Sequence, residues 1–126
     1  MGQYHIVVNL DKMEKIDPRS LGYGKKLLEF ISYPNMGSDV GNSLIILLAS
    51  KSNGQGSGDL PEDPIVGRWC GNRIAFVGDY DDKTIYDTPM GQFSGADIYN
   101  SIHFREVADL LKEYMSSAEW KKEHHI

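Results

Sequence analysis

Three carboxylates stand together in Gly78-Asp79-Tyr80-Asp81-Asp82, directly after an apolar run that reads as a strand. Gathered at a strand end, they could hold a hard cation such as Mg²⁺ or Ca²⁺ through oxygen ligands. Such an ion could polarise a phosphate or activate water, with Asp59 and His5 as further polar groups. The run is not an EF-hand loop. Counted from Asp79, Lys83 takes the third ligand place, Thr84 the required Gly and Met90 the final Glu.

A second candidate is the loop Gly54-Gln55-Gly56-Ser57-Gly58-Asp59, because glycines such as Gly56 and Gly58 let backbone N–H groups turn toward an anion. Its G-x-G-x-G spacing is not that of a dinucleotide fingerprint, and it lacks the Lys-Ser/Thr ending of a P-loop. Asp59, Glu62 and Asp63 follow and would repel phosphate, so a surface loop is the better reading.

The histidines, His5, His103, His124 and His125, form neither an H-E-x-x-H motif nor an i, i+4 pair. On a strand with Tyr4, Ile6 and Val8 toward the core, His5 and Asn9 share the other face and could flank a ligand. Cys70 is the single cysteine, which excludes an internal disulfide and fits a reducing compartment. Beside Gly71 and Asn72 it suits a turn. Neither a G-x-S-x-G elbow nor an S-x-x-K pair supports a serine hydrolase.

The elements that must position these residues follow from periodicity. Tyr4, Ile6, Val8 and Leu10 alternate as in a half-buried strand, and Asp11-Lys12 turns into a short partner around Met13 to Ile16. Asp17-Pro18 ends that pairing, since Pro lacks an N–H. Leu27, Leu28, Phe30 and Ile31 predict a helix stopped by Pro34; Ser38 or Asp39 could cap a second through Leu44 and Leu48, the favoured reading, although Ile45-Ile46 also reads as buried strand. Residues 51–64 are a long loop. Ile65 to Trp69 and Arg73 to Gly78 read as two strands joined by a tight turn at Cys70-Gly71-Asn72, with Trp69 buried. A short strand covers Thr84 to Tyr86. Phe104, Val107, Ala108, Leu111 and Tyr114 predict a helix over 101–115, and Ser116-Ser117-Ala118-Glu119 matches the capping box of a further one.

The expected architecture is a single α+β domain over residues 1–126, with an antiparallel or mixed sheet of four or five strands and helices packed on one face. An apolar fraction of 40% and a charged fraction of 25% are those of a globular chain. The longest apolar run, Leu44 to Ala49, falls well short of the roughly twenty residues a membrane span needs. The start of the chain lacks the basic and long apolar regions of a signal peptide, so a cytoplasmic setting is expected.

The net charge of −5 sits almost wholly in residues 57–100, which hold three basic and eight acidic side chains. That excess disfavours direct nucleic-acid binding, which needs Lys and Arg for phosphates. It suits a partner with a basic surface, with Asp79, Asp81, Asp82 and Asp59 for steering and Tyr80, Tyr86 and Tyr99 as anchors.

Met1-Gly2-Gln3-Tyr4-His5-Ile6-Val7-Val8-Asn9-Leu10-Asp11-Lys12, Lys26-Leu27-Leu28-Glu29-Phe30, Gly58-Asp59 and the stretch from Gly67 to Tyr80 resemble a group of small bacterial and phage proteins with no assigned activity. The resemblance implies a bacterial or mobile-element setting and carries no catalytic residue or cofactor. Two functions stand. The first is a non-enzymatic binding protein, such as a phage inhibitor of a bacterial nuclease or other defence protein, without a cofactor. The second is a small metal-dependent phosphate- or nucleotide-binding or hydrolysing protein built on Asp79, Asp81 and Asp82. Self-association is left open.

Overall fold

Ile6, Val7 and Val8 are β-branched residues in succession, and such side chains fit a pleated sheet with neighbours on both sides. The computed structural model, which describes residues 3–22, 24–30, 39–50 and 60–117, places them in an interior strand of such a sheet. Its strands are β1 (His5–Asn9), β2 (Glu14–Ile16), β3 (Ile74–Gly78), β4 (Ile85–Thr88), β5 (Gly91–Ser94) and β6 (Arg105–Glu106). Its α-helices are α1 (Leu27–Phe30), α2 (Asp39–Leu48), α3 (Gly95–Tyr99) and α4 (Ala108–Met115).

Among the described residues the strands form a four-stranded mixed sheet, ordered β3-β1-β2-β6, and a separate β4–β5 hairpin. The β1–β2 and β1–β3 pairs are antiparallel, and β2–β6 is parallel. The fold is α+β. Every residue of β1 is buried, so the alternation that suggests one wet face instead divides the strand between two cores. Val7 joins Ile16, Ile46 and Leu47 of α2, Leu111 and Tyr114 of α4, and Trp69. Ile6 and Val8 join Val77, Phe104 and Ile98 of α3. The helices are therefore divided between two faces. The second face also takes Tyr86 and Phe93 of the hairpin.

Asn9 builds the β1–β2 turn. Its Oδ1 accepts N–H bonds from Asp11 at 2.9 Å and Lys12 at 2.8 Å, and its Nδ2 donates to Asn72 Oδ1 at 3.0 Å. Asp17 then caps a short 3-10 helix, Pro18–Leu21, by accepting from Arg19 N at 3.0 Å, with Pro18 in the first turn where no N–H is needed. The expected helix from Asp39 to Leu48 is present; Val40, Ser43, Ile46 and Leu47 supply its buried stripe.

The hairpin expected from Ile65 to Gly78 does not form. Its second arm is β3, but Asp63 to Asn72 is a chain of tight turns, closed by bonds from Val66 to Asp63, Arg68 to Ile65, Cys70 to Gly67 and Asn72 to Trp69. Gly67 and Gly71 take φ values of 77° and 80°, which a Cβ would strain. The turns exist because they complete α2: Gly67 N donates to Ile46 O at 2.8 Å and Trp69 N to Leu47 O at 2.9 Å, carbonyls that the helix end leaves open. Trp69 is fully buried, as expected, within turns rather than a strand.

The helix expected from Ser101 begins only at Ala108. Arg105 and Glu106 are taken by β6, where Arg105 N donates to Met13 O at 2.9 Å and Val107 N to Lys15 O at 3.0 Å. Phe104 enters the core opposite that of Leu111, so one helix could not serve both. Expectations for residues 31–38, 51–59 and 118–126 lie outside the described residues.

Candidate partner-binding surface

Asp79, Asp81 and Asp82 lie in the turn after β3, and two of the three organise backbone. Asp79 Oδ1 accepts from Tyr4 N at 3.0 Å. Asp81 Oδ1 accepts from Thr84 N at 3.0 Å and Lys83 N at 3.3 Å, while its carbonyl accepts from Ala96 N at 2.6 Å. The Thr84 N–H chiefly holds the Asp81 carboxyl below its usual range, against the opposing effect of burial; Thr84's side chain, the Lys83 N–H and the charge of His5 also lower it. Gly95 is needed for this approach, since a Cβ there would lie 2.7 Å from Asp81 Oδ2. Among the described residues no three His, Cys, Asp or Glu side chains cluster as a metal centre would require.

The three tyrosines divide. Tyr80 is 60% exposed and held by its backbone N–H, which donates to Gln3 Oε1 at 3.1 Å. Tyr86 is half-buried; burial first, and the Asp81 charge second, push its phenol above the usual value. The Tyr99 ring lies 4.6 Å from Lys25 Nζ, which also pairs with Asp17 at 3.1 Å, so it fastens α3 to the 3-10 segment. Tyr80 is thus the exposed one. His5 is buried, with its N–H on Lys25 O at 2.7 Å and its Nδ1 without a partner among the described residues. Asn9 is buried and engaged in its turn. Asp59, Gly56 and Gly58 lie outside the described residues.

The structure brings together residues that sequence reasoning passed over. Pro89 and Met90 form the tip of the β4–β5 hairpin, steadied by Thr88, whose Oγ1 accepts from Met90 N at 3.1 Å. Ser94 caps α3 by accepting from Asp97 N at 3.1 Å. Between that hairpin, α3 and the stretch leading to β6 opens a cleft of about 340 Å³. Its apolar wall is Met13, Met90, Phe93, Ile98, Ile102 and Phe104. Ile102 is 90% exposed and Met90 52%, so the apolar surface continues past the cleft mouth. Asp97 supplies the negative charge of the lining, and its carboxylate has no hydrogen-bond or ion-pair partner among the described residues. Asn100 is held by α3, its Nδ2 on Ala96 O at 2.9 Å.

Met13, in the cleft wall, has φ 55°, a left-handed conformation uncommon outside Gly and Asn. It is fixed there by the turn into β2 and by the Arg105 N–H on its carbonyl. A second cleft, about 420 Å³, lies between Asp63 to Arg68 and α4. Three of its polar groups serve the fold: Asp63 Oδ1 accepts from Ile65 N, Tyr114 donates to Pro61 O, and Arg68 pairs with Glu14; Glu113 and Ser117 also line it. The chain matches no family model, no curated protein and no solved structure.

Proposed function

We propose that the protein is a non-enzymatic binding protein that engages a basic surface of a bacterial protein, as a phage or mobile-element inhibitor of a nuclease or other defence factor would. The observation that carries the reading is the coincidence of free carboxylates with exposed apolar side chains on one stretch of chain. Asp82, Asp87 and Asp97 are exposed, and their carboxylates have no hydrogen-bond or ion-pair partner among the described residues, although the Asp87 carbonyl accepts from Arg73 Nη2 at 3.0 Å. They share residues 79–104 with exposed Tyr80, Ile85, Met90 and Ile102. Charges of one sign steer encounter and select partners, whereas affinity needs buried apolar anchors, and this segment has both.

The bacterial setting rests on the sequence resemblance. Asp79 and Asp81 support the reading indirectly, because their carboxylates tie the acidic turn to the backbone of Tyr4 and Thr84. The test is retention of proteins from a bacterial lysate on the immobilised full chain, at low and high salt. The expected result is one or a few basic proteins held at low salt and lost in the Asp82→Asn, Asp87→Asn, Asp97→Asn triple variant. Nothing retained at either salt refutes the proposal.

A further inference from the structure

The inference rests on the binding-protein reading and names what the surface takes. We infer that the cleft between the β4–β5 tip, α3 and the stretch leading to β6 is the anchor site for a short basic polypeptide segment, which inserts one apolar side chain beside Asp97. A cleft of about 340 Å³ with an apolar wall accommodates one aliphatic or aromatic side chain. Asp97 is the carboxylate of the lining, which also includes His103, and Asp97's side chain has no hydrogen-bond or ion-pair partner among the described residues; Asp87 on β4 and Asp82 in the turn before it are further exposed acids of the same segment.

The shape favours a polypeptide over a small amine. Ile102 and Met90 line the cleft yet remain 90% and 52% exposed, so a ligand confined to the cleft would leave much of both side chains in water. A chain crossing the mouth covers them. Met13 and Met90 are unbranched and adjust to the shape of an incoming side chain. The left-handed backbone at Met13 stores strain where its side chain meets the cleft, a place where such strain is often functional.

The test uses the ¹⁵N-labelled full chain at pH 7.5 and low salt, titrated with a capped peptide of six Lys and Arg residues around a central Phe. Controls are the same peptide with central Ala, and an acidic peptide keeping the Phe. Amide shifts should concentrate at Met90, Ile98 and Ile102. The Ala peptide should bind at least tenfold more weakly, the loss expected for an anchor side chain left unburied. Asp97→Asn and Ile102→Ala, both at exposed positions, should each weaken the Phe peptide at least threefold.

Shifts confined to Asp79 to Asp82, with equal affinity for the Phe and Ala peptides, overturn the cleft assignment and leave the electrostatic binding reading intact. Equal binding of the acidic peptide overturns the basic-partner assignment. Shifts on diluting the protein alone assign the cleft to a second copy instead. If no peptide moves any amide while lysate retention persists, the cleft is not the anchor and the partner binds elsewhere.

Discussion

Replacing Glu14 with alanine is expected to cost about 3–5 kcal/mol of folding stability, within the range for removing one member of a buried charged network. Glu14 is buried on β2, and its carboxylate receives Arg68 Nε at 3.0 Å, Arg68 Nη2 at 2.5 Å and Trp69 Nε1 at 2.8 Å. These bonds tie the turns of 63–72 to the sheet. Trp69 is 0% exposed, so its indole N–H would be left without an acceptor or water, a loss of about 1–3 kcal/mol. The Arg68 side chain is 30% exposed and can turn to solvent, so its charged bonds count for only part of their worth. Packing lost with the side chain adds about 1 kcal/mol. Glu14→Gln keeps an acceptor for the indole and should cost only about 1–2 kcal/mol. Urea denaturation followed by fluorescence and circular dichroism checks both values. An alanine variant within about 0.5 kcal/mol of the parent, or a glutamine variant as damaging as alanine, refutes this account of the node.

Burial works to raise the Glu14 carboxyl, but the hydrogen bonds of Arg68 and Trp69, with the charges of Arg68 and Lys12, leave it below its usual 4.5. A depressed carboxyl contributes stability that is full above that value and lost as pH falls through the folded value, so acid unfolding should be less steep in Glu14→Gln. Parallel curves from pH 7 to 3 would contradict this. Trp69→Ala should cost about 3–5 kcal/mol by emptying the core between α2 and α4, measured by the denaturation midpoint. Gly95→Ala should cost about 1–3 kcal/mol through the Asp81 carboxylate, and markedly less in an Asp81→Ala background; equal costs would show that the two positions are uncoupled.

Much of the secondary structure was readable because its cause is local. The alternation from Tyr4 to Leu10, the turn at Asp11-Lys12 and the break at Asp17-Pro18 each depend on residues a few places apart, and β1, β2 and the 3-10 turn follow them. The acidic turn after β3 was likewise visible, since Asp residues in series satisfy backbone N–H groups nearby. The candidate cleft was not. It joins Met13 to residues 90–104, and its sequence signals, two methionines and an isolated Ile102, are ordinary one at a time.

By itself the sequence determined the α+β class, the acid-rich middle segment, the first hairpin and the burial of Trp69, and it favoured helix over strand for Asp39 to Leu48. Tertiary structure decided where the same patterns could be read two ways. Ile65 to Trp69 has the composition of a strand, but the open carbonyls of α2 took Gly67 and Trp69 as donors, and the Glu14 carboxylate took Arg68 and the indole. Phe104 has the spacing of a helix with Leu111, but the carbonyls of Met13, just before β2, and of Lys15 on β2 took the N–H groups of Arg105 and Val107, drawing that stretch into the sheet. In each case a hydrogen-bonding group from a distant element outweighed a local preference, because leaving such a group unpaired costs more than the small propensity difference between helix, strand and turn.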